Sequence, residues 1–329
     1  MSNEKRTFRN LLSENLSFVI YFVIMLLLTI ERIVFDNFGG RLSDNNLNNL
    51  YTIFAEFIIM GIVPVVLYVA FNGKENFKSK IKDFSDGFGF KFKLSPSVYV
   101  LTIVVAILIY HVTVFTSMAF NVFLAAVGFK RSLYAPTIYK NVGDLFLGIF
   151  MTAFAPALCE EITHRGLIYS GLKKYGEKTA VFISAVLFAL MHQNIMQVFY
   201  AFIAGLILGT LRSKTRSIIP GMIVHFGNNL ISTLLEYSSQ HNGKFYDFFV
   251  SVYNTADLLA LVLLIASFII VIKVFKAIFN YMGNKCGNNM PIGLSRGKRL
   301  VLMETPALAA SLTLGFFTTL ITLIWGFMR

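Results

Sequence analysis

Charge is scarce in this sequence. Only 14% of its 329 residues are Asp, Glu, Lys or Arg, where a soluble domain carries about 25%. Cysteine is scarcer: Cys159 and Cys286 are the only two, which excludes a disulfide framework and any zinc-type cysteine spacing. Cys159 lies in an apolar block, where a free thiol behaves as a small hydrophobe. There is no internal repeat and no low-complexity segment. No H-E-x-x-H pattern occurs, so the zincin class is excluded. What remains is apolar: 56% of the residues are hydrophobic, and the mean hydropathy is +0.68. A water-soluble fold of this size has no interior large enough for that much apolar surface.

The apolar residues fall in long blocks, and a helix needs roughly 20 of them to cross a bilayer. Nine candidate spans can be drawn, at about 16–35, 50–71, 97–127, 144–171, 178–192, 195–212, 217–237, 256–279 and 306–327. The fifth and sixth are short and joined by almost nothing. The fold class expected is therefore all-α, a polytopic transmembrane bundle of about 8–9 spanning helices. Its parts are N-terminal helices at 1–135, a core at 143–237 and C-terminal helices at 250–329. No small-residue cleavage site follows the first apolar run, which reads as a spanning helix rather than a cleaved signal peptide.

The formal net charge of +12 raises the question of nucleic acid, but the cations sit in short loops between apolar blocks. There they report topology and contact with anionic lipid, and no nucleic-acid partner is expected. Lys5, Arg6 and Arg9 precede the first span. Lys74, Lys78, Lys80, Lys82, Lys91 and Lys93 follow the second. Lys173, Lys174 and Lys178 follow the fourth, Arg212, Lys214 and Arg216 the sixth, and Lys285, Arg296, Lys298 and Arg299 the eighth. With nine spans all five groups share one side, expected to be cytoplasmic. The third loop, with Lys130, Arg131 and Lys140, fits this pattern least well. The segment 280–298, rich in Gly and Asn, reads as a flexible connection.

An ionisable group inside a spanning helix is costly and raises a functional hypothesis. Three places do so. In the first, Pro156-Ala-Leu-Cys-Glu160-Glu161-Ile-Thr-His164-Arg165, Glu161 and Arg165 share a helical face in the favourable order. Glu160 lies about 100° round the helix. Arg165 can therefore neutralise Glu161 while Glu160 faces the chemistry; a buried ion pair that merely ties helices together is the plain alternative. The second place is Phe188-Ala-Leu-Met-His192, the third His225-Phe-Gly-Asn228-Asn229. Either histidine alone reads most simply as a hydrogen-bonded packing residue.

Depth sets the three apart from chance. At about 1.5 Å per helical residue, Glu160, His192 and Asn229 lie about 20 Å from the nearest basic loop and His225 about 14 Å. A carboxylate, two imidazoles and a carboxamide in one layer suit hydrolysis. A glutamate can take a proton from water, histidine with glutamate can hold zinc, and a carboxamide can donate to an oxyanion.

Together the motifs Glu160-Glu161-Ile-Thr-His-Arg165, Phe188-Ala-Leu-Met-His192 and His225-Phe-Gly-Asn-Asn229 resemble those of the CAAX-protease and bacteriocin-processing family: E-E-x-x-x-R, F-x-x-x-H and H-x-x-x-N, in that order. The resemblance covers about 150–235. It implies an intramembrane endopeptidase with Glu160 as the water-activating carboxylate. His192, His225 and Asn229 would complete the catalytic set, and Glu161 and Arg165 would support it. Zinc, held by Glu160, His192 and His225, would be the cofactor, in a family described both as metal-dependent and as glutamate-dependent. The substrate would be a peptide or protein in or at the bilayer. His164 departs from the family, in which an aromatic often precedes the Arg. It can reach the catalytic carboxylate or simply pack.

Richness in Lys, Asn, Ile and Phe fits an AT-rich bacterial genome, hence a plasma-membrane enzyme of bacteriocin or peptide-signal processing or of self-immunity. The competing readings are a non-catalytic immunity or chaperone-like membrane factor and a proton-coupled transporter. The absence of two related halves speaks against the transporter.

Overall fold

The computed structural model describes residues 15–34, 52–71, 85, 87–130, 137–253, 258–287 and 305–328. Lys5, Arg6, Arg9, Lys74, Lys78, Lys80, Lys82, Arg131, Arg296, Lys298 and Arg299, and most of the expected connection at 280–298, lie outside them. Among the described residues the chain is helical without strands. The helices are α1 (Leu16–Val34), α2 (Ile53–Phe71), α3 (Pro96–Ala126), α4 (Val142–Tyr175) and α5 (Glu177–Met191). They continue with α6 (Ile195–Thr215), α7 (Ile219–Gln240), α8 (Lys244–Val252), α9 (Leu258–Lys285) and α10 (Pro306–Met328). Seven of these (α1–α4, α6, α9 and α10) are long and apolar enough to span a membrane, so the chain is an integral membrane protein. The expected nine spans each coincide with a helix, but two fall short as free-standing spans. Helix α5 has only 15 residues. Helix α7 has the length but carries His225, Asn228, Asn229 and Glu236. The expected layout missed one element, the short α8.

Two apolar clusters hold the bundle. One joins α1, α2, α4, α5 and Leu308 at the start of α10, around Phe18, Tyr21, Ile24, Leu167, Tyr169 and Leu187. The other joins α3, α6, α7 and α9, around Val105, Ile109, Leu208, Val224 and Phe275. Helix α6 contributes Ala201 to the first and Ala204, Ile207 and Leu208 to the second. Helices α5 and α6 form a tight antiparallel pair. A side chain on Gly205 would meet Ala185 Cα at 2.9 Å, so glycine is what lets the backbones approach.

Helix α4 is irregular where it matters. It widens to π-helical geometry at Ile149–Phe154 and again at Ile162–Ile168, leaving one α-helical stretch, Ala155–Glu161, between. Single wide turns of this kind occur often at functional sites. Its start is fixed by Asn141, whose side chain accepts from Asp144 N at 3.1 Å.

Candidate active site

Glu160 and Glu161 are neighbours with different surroundings. Glu161 is fully buried and forms an ion pair with Arg165 at 2.9 Å, both side chains sealed from solvent. Arg165 is fixed further: Nη2 donates to Gly205 O at 3.3 Å, and the guanidinium lies 4.4 Å from the centre of the Phe188 ring. On the other side of Glu161, helix α7 comes so close at Gly221 that any Cβ there would stand 2.7 Å from Glu161 Oε2. Glu160 points elsewhere. Its side chain lines a cavity of about 350 Å³ whose walls also include His192, His225 and Asn229. Four of the residues singled out in the sequence thus meet round one space, while Glu161 and Arg165 stand behind it.

The hydrogen bonds assign the histidine tautomers. His225 Nδ1 lies 3.3 Å from Glu161 Oε1. That carboxylate is ionised by Arg165 and can only accept, so Nδ1 carries the proton. His225 Nε2 then faces Glu160 Oε2 at 3.8 Å. His192 Nδ1 donates to Phe188 O at 2.8 Å, leaving its Nε2 as the other ring nitrogen. Phe188 is the common wall, edge-on to His164, His192 and His225 at 5.1, 5.2 and 5.7 Å between ring centres. The aromatic in the second motif was quoted in the sequence but given no role; it is the surface against which these rings are packed.

Asn229 is aimed by a relay. Pro156 has no N–H to offer Thr152 O, four residues back; that carbonyl accepts from Asn229 Nδ2 at 3.1 Å. Asn228 Nδ2 donates to Asn229 Oδ1 at 3.1 Å, and Thr113 donates to Asn228 Oδ1 at 2.9 Å. With Oδ1 engaged and one amide hydrogen committed, the second amide hydrogen of Asn229 remains for the cavity.

Helices outside the motifs also contribute. Glu56 of α2 is a second carboxyl beside Glu160. The two line a second cavity of about 180 Å³ with Arg32 and His192. The signal for Glu56 in the sequence is a carboxylate in the middle of an apolar span, outside the three motifs. Arg32 of α1 donates to His192 O at 3.1 Å and Gln193 O at 2.7 Å, placing a cation on the last carbonyls of α5 and holding His192 at the helix end. His164 resolves to packing. Its Nδ1 bonds Glu160 O at 2.9 Å, not the carboxylate, and Nε2 meets Tyr21 OH at 3.1 Å.

The donor types suit zinc. However, among the described residues no three His, Cys, Asp or Glu side chains are grouped as one ion requires. The expected set Glu160, His192 and His225 shares a cavity without converging on a point, so no step below is routed through a metal.

Residues 142–231 match a family model described as Rce1-like, type II CAAX prenyl endopeptidase Rce1-like. The chain carries an Rce1-like domain. The match takes in α4 to α7 as far as Ile231 and so contains all three motifs. The matched stretch is about a quarter of the sequence, and the family it is similar to is one of endopeptidases. No curated protein and no solved structure matches the chain.

Proposed function

We propose that the chain is an intramembrane endopeptidase in which Glu160 activates water. The observation that carries this is the meeting of Glu160, His192, His225 and Asn229 round one cavity, with Glu161 and Arg165 locked behind. A volume of about 350 Å³ is within the range of ligand sites. Along α7 it runs from His225 to Glu236, about 16 Å, enough for about five residues of extended peptide. A helical substrate must therefore unwind to present its bond.

In the proposed reaction Glu160 enters as the carboxylate, with one oxygen beside the Glu56 carboxyl. The other oxygen takes a proton from water while the water oxygen bonds to the scissile carbonyl carbon. Negative charge moves to the carbonyl oxygen, where Asn229 Nδ2–H donates to it. Glu160 then passes its proton to the amide nitrogen as the C–N bond breaks, releasing carboxyl and amine products. His225, oriented through Nδ1 by Glu161, presents Nε2 to Glu160 and the water. His192 Nε2 completes the polar wall. Zinc held by Glu160, His192 and His225 would supply Lewis-acid activation of the same water, and would require those donors to close on one another; elemental analysis of the purified protein reads this directly.

The proposed setting is a bacterial plasma membrane with a cytoplasmic N-terminus, the substrate a hydrophobic or membrane-associated peptide, and the role bacteriocin or peptide-signal processing or self-immunity. The basic loops and the composition support it. The test uses purified wild type and Glu160→Gln on quenched peptides with apolar flanks. Loss of cleavage by about 10²–10⁴-fold is expected, with an unchanged melting temperature. Cleavage by Glu160→Gln at the wild-type rate would overturn the reading.

A further inference from the structure

A separate cavity of about 510 Å³ lies at the end of the bundle where the basic loops gather. Three cations line it: Lys173 at the end of α4, Arg212 in the last turn of α6, and Arg216 just beyond. Ser17 and Ser170 add hydroxyls, and among the described residues no carboxylate lines it. The Tyr68 ring is apolar lining at the cavity, with the buried Phe88 and Leu167 beneath. A cationic space beside the ends of apolar spans has the character of a site for an anionic amphiphile.

The cations are held in place with donors to spare. Arg212 is 6% exposed; it donates Nε–H to Arg165 O at 3.2 Å and Nη2–H to Gly87 O at 3.4 Å. Gly89, in the left-handed region at φ +79°, turns the backbone so closely over the Arg212 guanidinium that a Cβ would collide with it. Arg216 spends one donor on Gly287 O at 3.3 Å. A guanidinium has five N–H groups, so both arginines keep donors for an anion. Glu177, one turn beyond Lys173, pairs with it at 3.5 Å and accepts from the Tyr169 hydroxyl.

We propose that this cavity binds a phosphate-bearing anion, with Lys173, Arg212 and Arg216 on the phosphate and the Tyr68 ring beside an attached acyl chain. The anion is thus the phosphate of an anionic phospholipid or, failing a chain requirement, free phosphate. Because Arg212 holds the carbonyl of Arg165, which pairs with Glu161, an occupant here stiffens the wall behind the candidate active site.

The purified full-length chain is tested in detergent by native mass spectrometry and thermal unfolding. The probes are a phosphatidylglycerol, a phosphatidylcholine with the same chains, and inorganic phosphate. Retention of phosphatidylglycerol with a raised melting temperature, weaker at higher salt and not shared by phosphatidylcholine, is expected. In the double variant Lys173→Gln/Arg216→Gln, both changes being on exposed side chains, affinity falls about fivefold per cation removed. Stabilisation by inorganic phosphate alone, equally sensitive to the double variant, would identify free phosphate as the occupant. Equal binding of both lipids, or no change in the variant, would overturn the proposal. Binding is read without catalysis, so this result stands or falls apart from the peptidase reading.

Discussion

Two histidine clusters lie within this bundle, and they are built to opposite ends. In one, His111 of α3 bridges Tyr253 at 2.8 Å and Ser267 of α9 at 3.1 Å, and Ser267 donates to Leu264 O at 2.7 Å. Burial pushes the Tyr253 phenol up to about 12, so it remains a donor at ordinary pH. The protons then run one way, Tyr253 to His111 Nδ1, His111 Nε2 to Ser267, Ser267 to a backbone carbonyl. Every polar atom is spent on the next, as a helix clamp requires. In the other, His225 gives Nδ1–H to Glu161 but turns Nε2 towards Glu160 and a cavity. Glu160 Oε2, in the same cluster, is buried without a hydrogen-bond partner. A buried polar atom left unsatisfied costs about 1–3 kcal/mol. The difference between a closed chain and an open one separates a packing residue from a residue positioned to act on something else.

The comparison is broken most severely at its support. Arg165→Met leaves Glu161 charged and buried without its partner, which should destabilise the fold by about 3–5 kcal/mol. Thermal unfolding measures it, and a melting temperature equal to wild type would mean that Glu161 is not the anchor described here. Next comes Asn229→Ala. Losing one oxyanion donor should lower kcat by about 10²–10³-fold with the fold intact, read as peptide cleavage alongside circular dichroism. Smaller again is Glu56. Glu56→Gln keeps a polar partner beside Glu160 and should cost only a few fold in rate, whereas Glu56→Leu removes it and should cost tens of fold, within the span of a charge-assisted hydrogen bond. Equal rates in the two variants would deny Glu56 its part in orienting Glu160.

The sequence showed the bundle because a bilayer imposes length and apolarity on each span, and both are local properties. It also showed the polar layer, because residues at equal helical distance from a basic loop lie at similar depth. That is why Glu160, His192, His225 and Asn229 could be expected to line one space before any packing was known. The rest depends on contacts between helices far apart in the chain. Arg32 capping α5 across 160 residues has no sequence signature. The second amide hydrogen of Asn229 depends on a proline in another helix that leaves Thr152 O unclaimed. The wide turns of α4 break the fixed 100° spacing before Ala155 and after Glu161, while Glu160 and Glu161 keep it in the α-helical stretch between. Glu56 was legible in kind, as a charge in an apolar helix, but its partner was not.

The smallest effect is the sharpest test of the comparison. If the His111 chain is only a clamp, His111→Phe removes two hydrogen bonds between α3 and its neighbours while filling similar volume. Hydrogen bonds of this type within membranes contribute about 0.6 kcal/mol each on average, so the loss should be near 1 kcal/mol and the cleavage rate should not change. Ser267 keeps its bond to Leu264 O in the variant, and the Tyr253 hydroxyl can turn to water at the end of α8, so little is left stranded. Cleavage measured beside thermal unfolding distinguishes the two clusters cleanly. A His111→Phe variant that melts slightly lower and cuts at the wild-type rate keeps them separate. One that cuts more slowly at unchanged stability would join His111 to the chemistry of the open cluster and dissolve the distinction between them.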